Sequence, residues 1–230
     1  GIQNDPLLLL MDGLKMDDFV DELENPEVTI FPDGSRAITM NGQELFGYCR
    51  YAAFYRDCVS VAKEEAHFVE VGSFLGLSSC IMGHYIKKSN KKITFDCVDL
   101  FEISESSDDL HATYVEKYGG DFLQAFTDNI KNSGMSEYIN QIYKGHSSHV
   151  SQFYEKESLD MVYLDASHHT VDVIDDIRNW YPKLKPGGVL AGDDWDHEGV
   201  APAVCWCLGE LGIPLTDLNS TSYATWFIKK

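Results

Sequence analysis

Apolar positions change their spacing along this 230-residue chain, and each change marks a new element. Thr29-Ile30-Phe31 and Ala37-Ile38-Thr39-Met40 flank Pro32-Asp33-Gly34-Ser35, four residues that favour a turn. A small hairpin is expected there, ending at Asn41-Gly42. From residue 43 to residue 62 the spacing becomes helical, with Leu45, Tyr48, Ala52 and Tyr55 on one face. Short apolar runs then alternate with helical stretches. Residues 67–71, 93–98, 139–143, 159–164 and 189–191 read as buried strands. Helices are expected over 78–88, with Ile81, Met82 and Tyr85 inward, over 122–132, and over 171–184. In the last of these Ile174, Ile177, Tyr181 and Leu184 recur at helical spacing, Asp172, Asp175, Asp176 and Arg178 take the wet face, and Pro186-Gly187-Gly188 stops the helix.

Strands alternating with helices predict a parallel sheet covered on both faces. Residues 213–218 and 223–228 lie close enough for two closing strands joined by a short turn, which must run antiparallel. The expected fold is therefore α/β: a doubly wound, Rossmann-like, seven-stranded sheet, mostly parallel with an antiparallel C-terminal strand. Residues 1–60 differ in character and read as an N-terminal helical and hairpin extension, a cap or an oligomerisation arm that makes a homodimer plausible, before a main domain over 61–230.

Composition narrows the partners. Apolar residues make up 44% of the chain, as in a packed globular protein. A net charge of −19 opposes binding to nucleic acid, which needs Lys and Arg to displace counterions, and opposes docking on anionic lipid. The apolar run over residues 7–11 is far too short to span a bilayer and has no basic residues before it. A cytoplasmic protein with a small-molecule acceptor is expected. Of the six cysteines, Cys205 and Cys207 form C-x-C without a second pair nearby, so reduced thiols are expected rather than a zinc site.

The most informative stretch is Glu70-Val71-Gly72-Ser73-Phe74-Leu75-Gly76-Leu77-Ser78-Ser79. It stands at a strand end and opens a helix, where doubly wound folds bind ligands. A dinucleotide turn needs G-x-G-x-x-G, and the place of its middle glycine is held by Phe74, whose bulk opposes a diphosphate. No Gly-Lys-Ser/Thr follows, which excludes a P-loop. Asp99 ends the second strand, near the spacing at which a carboxylate accepts hydrogen bonds from ribose hydroxyls. A nucleoside ligand without phosphates fits, and S-adenosylmethionine is one. Asp165 ends the fourth strand and Asp193 and Asp194 the fifth, so three carboxylates should converge. Such a cluster calls for protons or a cation such as Mg2+; the alternative is that these aspartates cap the elements that follow them.

Four segments carry a family resemblance: Glu70 to Gly76, Val98-Asp99, Tyr163-Leu164-Asp165-Ala166-Ser167-His168, and Lys185-Pro186-Gly187-Gly188-Val189-Leu190-Ala191-Gly192-Asp193-Asp194. With them, residues 67–207 resemble the class I S-adenosylmethionine-dependent methyltransferases. Within that class they resemble small-molecule O-methyltransferases such as macrocin O-methyltransferase and its antibiotic-sugar relatives. The resemblance implies a cofactor held by Glu70, Gly72, Ser73, Phe74, Gly76 and Ser78 around the methionine part, by Asp99 at the ribose, by Gly145, His146 and Ser147 at adenine, and by Asp165. It also implies a divalent ion on Asp165, Asp193 and Asp194. Many relatives carry an aspartate in place of His146, and several in place of Ser167. Asp165, His168 and His169 are the catalytic candidates, the histidines as general bases just past the fourth strand. Trp195 either walls the acceptor pocket or packs the core, Arg50 and Arg56 either reach an anionic substrate or, by default, stand in solvent, and residues 102–109 read as a solvated acidic loop. Two other functions stay open: an oxidoreductase using NAD, which Phe74 and the antiparallel last strand oppose, and a non-catalytic S-adenosylmethionine binder. Transfer to nitrogen in place of oxygen also stays open.

Overall fold

The computed structural model describes residues 18–103, 109–221 and 224–230. The apolar run at 7–11, most of the acidic loop and the start of the last expected strand lie outside them.

Three short strands come first: β1 (Val28–Ile30), β2 (Arg36–Met40) and β3 (Gln43–Gly47), an antiparallel sheet in that order. The hairpin of β1 and β2 matches expectation, but residues 43–47 form a strand where a helix was expected. The reason is the turn before them. Asn41 and Gly42 both have positive φ (53° and 81°), the conformation of a two-residue hairpin turn, which sends the chain straight back along β2. The helix begins only at α1 (Ala52–Val61). The aromatic side chains at its start turn inward: Tyr51, just before it, and Phe54 and Tyr55 within it are buried against Tyr163.

The main sheet contains β4 (His67–Val71), β5 (Thr94–Asp99), β6 (Gln141–Lys144), β7 (Leu159–Leu164), β8 (Leu184–Gly192), β9 (Asn219–Ser220) and β10 (Trp226–Lys229). Its order is β6-β5-β4-β7-β8-β10-β9. β6, β5, β4, β7 and β8 are parallel, and β10 runs antiparallel to both β8 and β9. The longer helices that follow α1 are α2 (Leu77–Ser89), α3 (Asp109–Lys117), α4 (Phe122–Asn132), α5 (Thr170–Trp180) and α6 (Val200–Leu211). Among the described residues none is long and apolar enough to cross a membrane.

Strand residues alternate between two cores, as a period of two requires. Phe68, Phe95, Cys97, Met161, Tyr163 and Phe227 face the core built with α1, α2 and α4. Val69, Val71, Val98, Val162, Leu164, Leu190 and Trp226 face the core built with α5 and α6. A doubly wound sheet results, with helices on both faces.

Four boundaries differ from the sequence reading. The helix over 171–184 stops at Trp180; Tyr181–Lys183, which includes Pro182, forms a 3-10 turn, and Leu184 already begins β8. β8 absorbs Pro186-Gly187-Gly188 as an irregularity, because its partner pairs Leu159 with Leu184 but Met161 with Val189. Residues 213–218 hold a 3-10 turn, leaving a strand of only two residues after it. Helix α3 directly follows the acidic loop and was not expected. It packs Tyr114 flat on Phe46 of β3, ring centroids 3.5 Å apart, so the small sheet and α3 share one apolar cluster. Five cysteines are buried and Cys205 is exposed.

Candidate active site at the strand ends

Register brings the chemistry together. Val71 pairs with both Val98 and Leu164, Leu164 with Gly192, and Asp99 with Lys144. The C-terminal ends of five parallel strands thus lie level, and the segments singled out by sequence leave the sheet side by side, at the edge where doubly wound folds bind ligands.

The glycine turn is fixed from both neighbours. The N–H of Gly72 donates to the carbonyl of Val98 (2.8 Å), and that of Asp165 donates to the carbonyl of Val71 (2.7 Å). Gly72 has φ of +92°, and a Cβ there would stand 2.7 Å from the Ala166 nitrogen and closer still to the Asp165 carbonyl. Only glycine lets the ends of β4 and β7 approach this closely. Phe74 also has positive φ (50°), and its N–H donates to Asp99 Oδ2 (2.8 Å). Its ring packs on His111, Phe46 and Phe122 instead of standing free in the crevice.

Asp99 Oδ1 accepts from the N–H of Phe101 (2.8 Å). Burial raises the pKa of this carboxyl despite the amide donors. Each oxygen keeps a further acceptor position, so Asp99 suits a ligand offering neighbouring hydroxyls. Gly145 donates its N–H to the carbonyl of Asp99 (2.9 Å), which ties the expected adenine turn to the same strand end. His146 is exposed there, while Ser147 Oγ accepts from the Trp180 indole (2.6 Å).

Glu70, expected among the cofactor residues, is fully buried behind the turn. Its oxygens accept from Ser79 Oγ and Tyr55 OH, both at 2.6 Å, and burial raises its pKa. It braces the turn from the core side. Ser73 and Ser78 are buried as well.

Beside the turn lie the carboxylates. Asp165 Oδ2 accepts from Tyr51 OH (2.7 Å). Asp194 has both oxygens engaged: Oδ1 with Arg50 Nη2 (2.7 Å) and Oδ2 with His168 Nε2 (2.5 Å). Asp193 is 6% exposed, and its Oδ1 has no hydrogen bond; the nearest cation is Arg50 Nη2, 3.6 Å away. Burial, then repulsion from Asp193 and Asp194, pushes Asp165 well above the ordinary carboxyl range. Burial and the Asp194 charge push Asp193 up to about 7. Burial also works to raise Asp194, but His168 and Arg50 prevail and hold it below its usual value. The Asp194 hydrogen bond in turn raises His168, whose ring lies 5.1 Å from that of His197.

The cluster suits a divalent cation. Ligand atoms of Asp165, His168 and Asp194 all lie within 4.8 Å of one another, and the buried Asp193 oxygen without a hydrogen bond sits alongside. This set is not quite the expected trio. His168 joins it from the loop after β7, while Asp193 lies deeper. Leu164, Val173, Val200 and Trp226 add apolar walls to a small pocket here, shared with Asp165, His168, Asp176, Asp193 and Asp194. Asp176 is buried rather than on the wet face, because that side of α5 meets the Ser147 turn. His169 is exposed at the start of α5, its N–H on Ser167 Oγ (3.2 Å). Trp195 is half-buried and packs on the second core.

Sequence reading missed Arg50 and Tyr51. Arg50, expected in solvent, holds Asp194 and Asp196 from 144 and 146 residues away. Nothing local marks such a partnership.

The fold is that of the class I, S-adenosylmethionine-dependent methyltransferases. The chain belongs to the methyltransferase-domain family, whose model matches residues 69–195, more than half of it. It is similar in structure to the O-methyltransferase NovP, with 15% identity, 80% of each chain covered and a TM-score of 0.59. A putative O-methyltransferase from Klebsiella pneumoniae shares 12% identity over 79% of each chain, with a TM-score of 0.52. A putative rRNA-methylase from Clostridium thermocellum shares 10% identity over 81% of this chain and 100% of its own, at 0.54. At these identities the likeness is one of fold. No curated protein matches the chain in sequence.

Proposed function

We propose that this chain transfers a methyl group from S-adenosylmethionine to a hydroxyl of a small acceptor such as a sugar or a phenol. One observation carries the reading: the Gly72 turn, the Asp99 acceptor and the cluster of Asp165, Asp194 and His168 stand at level strand ends. S-adenosylmethionine supplies an electrophilic methyl group on sulfur. The backbone around Gly72 holds its amino-acid part, Asp99 accepts from its ribose hydroxyls, and Gly145, His146 and Ser147 border its base. A divalent ion such as Mg2+, held by Asp165, Asp193 and Asp194, would lower the pKa of an acceptor hydroxyl.

His168 is the general base we assign. Its Nε2 lies against Asp194 Oδ2, and the ring is half-exposed, where it can meet an incoming hydroxyl. A neutral imidazole takes the proton, and Asp194 stabilises the imidazolium that forms. Tyr51 keeps Asp165 in position while the acceptor oxygen aligns with the methyl carbon. The net charge of −19 favours a small acceptor over RNA.

Calorimetry with S-adenosylhomocysteine and with NADH tests the cofactor. Adenosylhomocysteine should bind one to one with Kd of about micromolar order, and NADH should not. Labelled methyl transfer to a sugar and phenol panel, with Mg2+ or with EDTA, tests the acceptor and the ion. Uptake of NADH without adenosylhomocysteine would overturn the reading.

A further inference from the structure

The carboxylates already have a cation, and it comes from the chain itself. Arg50 lies between β3 and α1, and its guanidinium spans Asp194 Oδ1 (2.7 Å), Asp196 (3.1 and 3.2 Å) and Asp193 Oδ1 (3.6 Å). With His168 on Asp194 Oδ2, each oxygen of Asp194 already faces a cationic or hydrogen-bonding partner. A divalent ion reaching Asp194 on the Oδ1 side meets the guanidinium at 2.7 Å from that oxygen, and repulsion between the two cations favours displacing Arg50. Asp196 makes that displacement feasible. It is largely exposed, it already holds both guanidinium nitrogens that face it, and it lies on the solvent side of the cluster.

We propose that Arg50 is a resident competitor for the divalent cation. Its guanidinium neutralises Asp193 and Asp194 while the ion is away, and pivots outward onto Asp196 when the ion enters. Arg50 thereby sets how much divalent ion the cluster requires. The adjacent Tyr51 stays on Asp165, so the same short segment keeps one ligand in place while releasing another. The orphaned Asp193 oxygen fits this picture, because a guanidinium 3.6 Å away balances its charge without completing its hydrogen bonding. This inference rests on the cluster being the ion site of the proposed methyltransferase.

The test is Mn2+ binding, followed by electron paramagnetic resonance, to the full chain and to Arg50→Gln, Arg50→Lys and Arg56→Gln. Arg56→Gln removes an equal charge from the same segment and controls for long-range electrostatics. Arg50→Gln should bind Mn2+ at least about tenfold more tightly than the unaltered chain, since a like charge no longer contests the site. Arg50→Lys and Arg56→Gln should stay within about threefold, the first because a compact cation still competes. Equal or weaker binding by Arg50→Gln overturns the proposal. So does an equal gain in Arg56→Gln, or a lack of Mn2+ binding by every protein at millimolar ion. Adenosylhomocysteine titrated into the same samples reads the methyltransferase assignment separately: binding there, with no gain in Arg50→Gln, sinks this inference alone.

Discussion

Replacing Gly72 by alanine tests the close approach on which the site is built. The new Cβ would meet backbone atoms of Asp165 and Ala166, the latter nitrogen at 2.7 Å, and backbone cannot swing aside as a side chain can. Two costs add. An L-residue held at φ of +92° is strained by about 1–2 kcal/mol, and forcing atoms into filled space costs about 1–3 kcal/mol more. Gly34 separates them. It has nearly the same φ (+87°), but a Cβ there meets nothing within 4 Å, so Gly34→Ala carries the strain alone. Urea denaturation of both variants should therefore show Gly72→Ala less stable than Gly34→Ala by about 1–3 kcal/mol. Adenosylhomocysteine should bind Gly34→Ala as it binds the unaltered chain and Gly72→Ala far more weakly, because the turn must move. Equal destabilisation by the two substitutions would refute the close contact between the ends of β4 and β7.

Further tests follow from buried groups. Burial holds Asp176 up to about 6, above its ordinary 3.8, so the folded state keeps this proton where the unfolded chain has lost it. Stability from this group therefore falls as pH rises from about 3.8 to about 6 and is level above; Asp176→Asn should remove that slope, gaining up to about 3 kcal/mol on the wild type between pH 4 and pH 7. An unchanged gap in urea melts at the two pH values would contradict it. Tyr51→Phe strips a donor from Asp165 and should lower turnover about tenfold with adenosylhomocysteine affinity unchanged; unaltered turnover would remove Tyr51 from the site. Phe46→Ala should cost about 3–5 kcal/mol in a single unfolding transition, since Phe46 is fully buried on Tyr114. Two transitions would mean that the small sheet folds apart from the main one.

How much was legible depended on the range of the interaction. The strands over 67–71 and 159–164 and the helix over 122–132 stand where their patterns put them, because alternation and helical spacing are properties of neighbouring residues. The glycine turn and Asp99 were legible for the same reason: a strand end, a sharp turn and a helix start follow one another in the chain. Residues 43–47 went wrong because Leu45, Tyr48, Ala52 and Tyr55 satisfy a helical period by chance. Asn41-Gly42 held the contrary signal, a tight hairpin turn, and pairing with β2 with Phe46 on Tyr114 decided it.

At the site, sequence named Asp165, Asp193 and Asp194 as a trio and His168 as a candidate base, since each ends a strand or lies in the loop after one. It could not rank them. Which oxygens converge, which carboxylate lies deeper and which cation answers them depend on two strand ends and an N-terminal segment meeting in space. Arg50 shows the limit most plainly. An arginine among aromatic residues carries no local mark of an aspartate 144 residues away, and only folding brings the two charges within 2.7 Å. Local order in the chain thus determined the elements and the turn, while the balance of charge in the crevice was settled by tertiary contact, because electrostatic partners are chosen by distance in space and not along the chain.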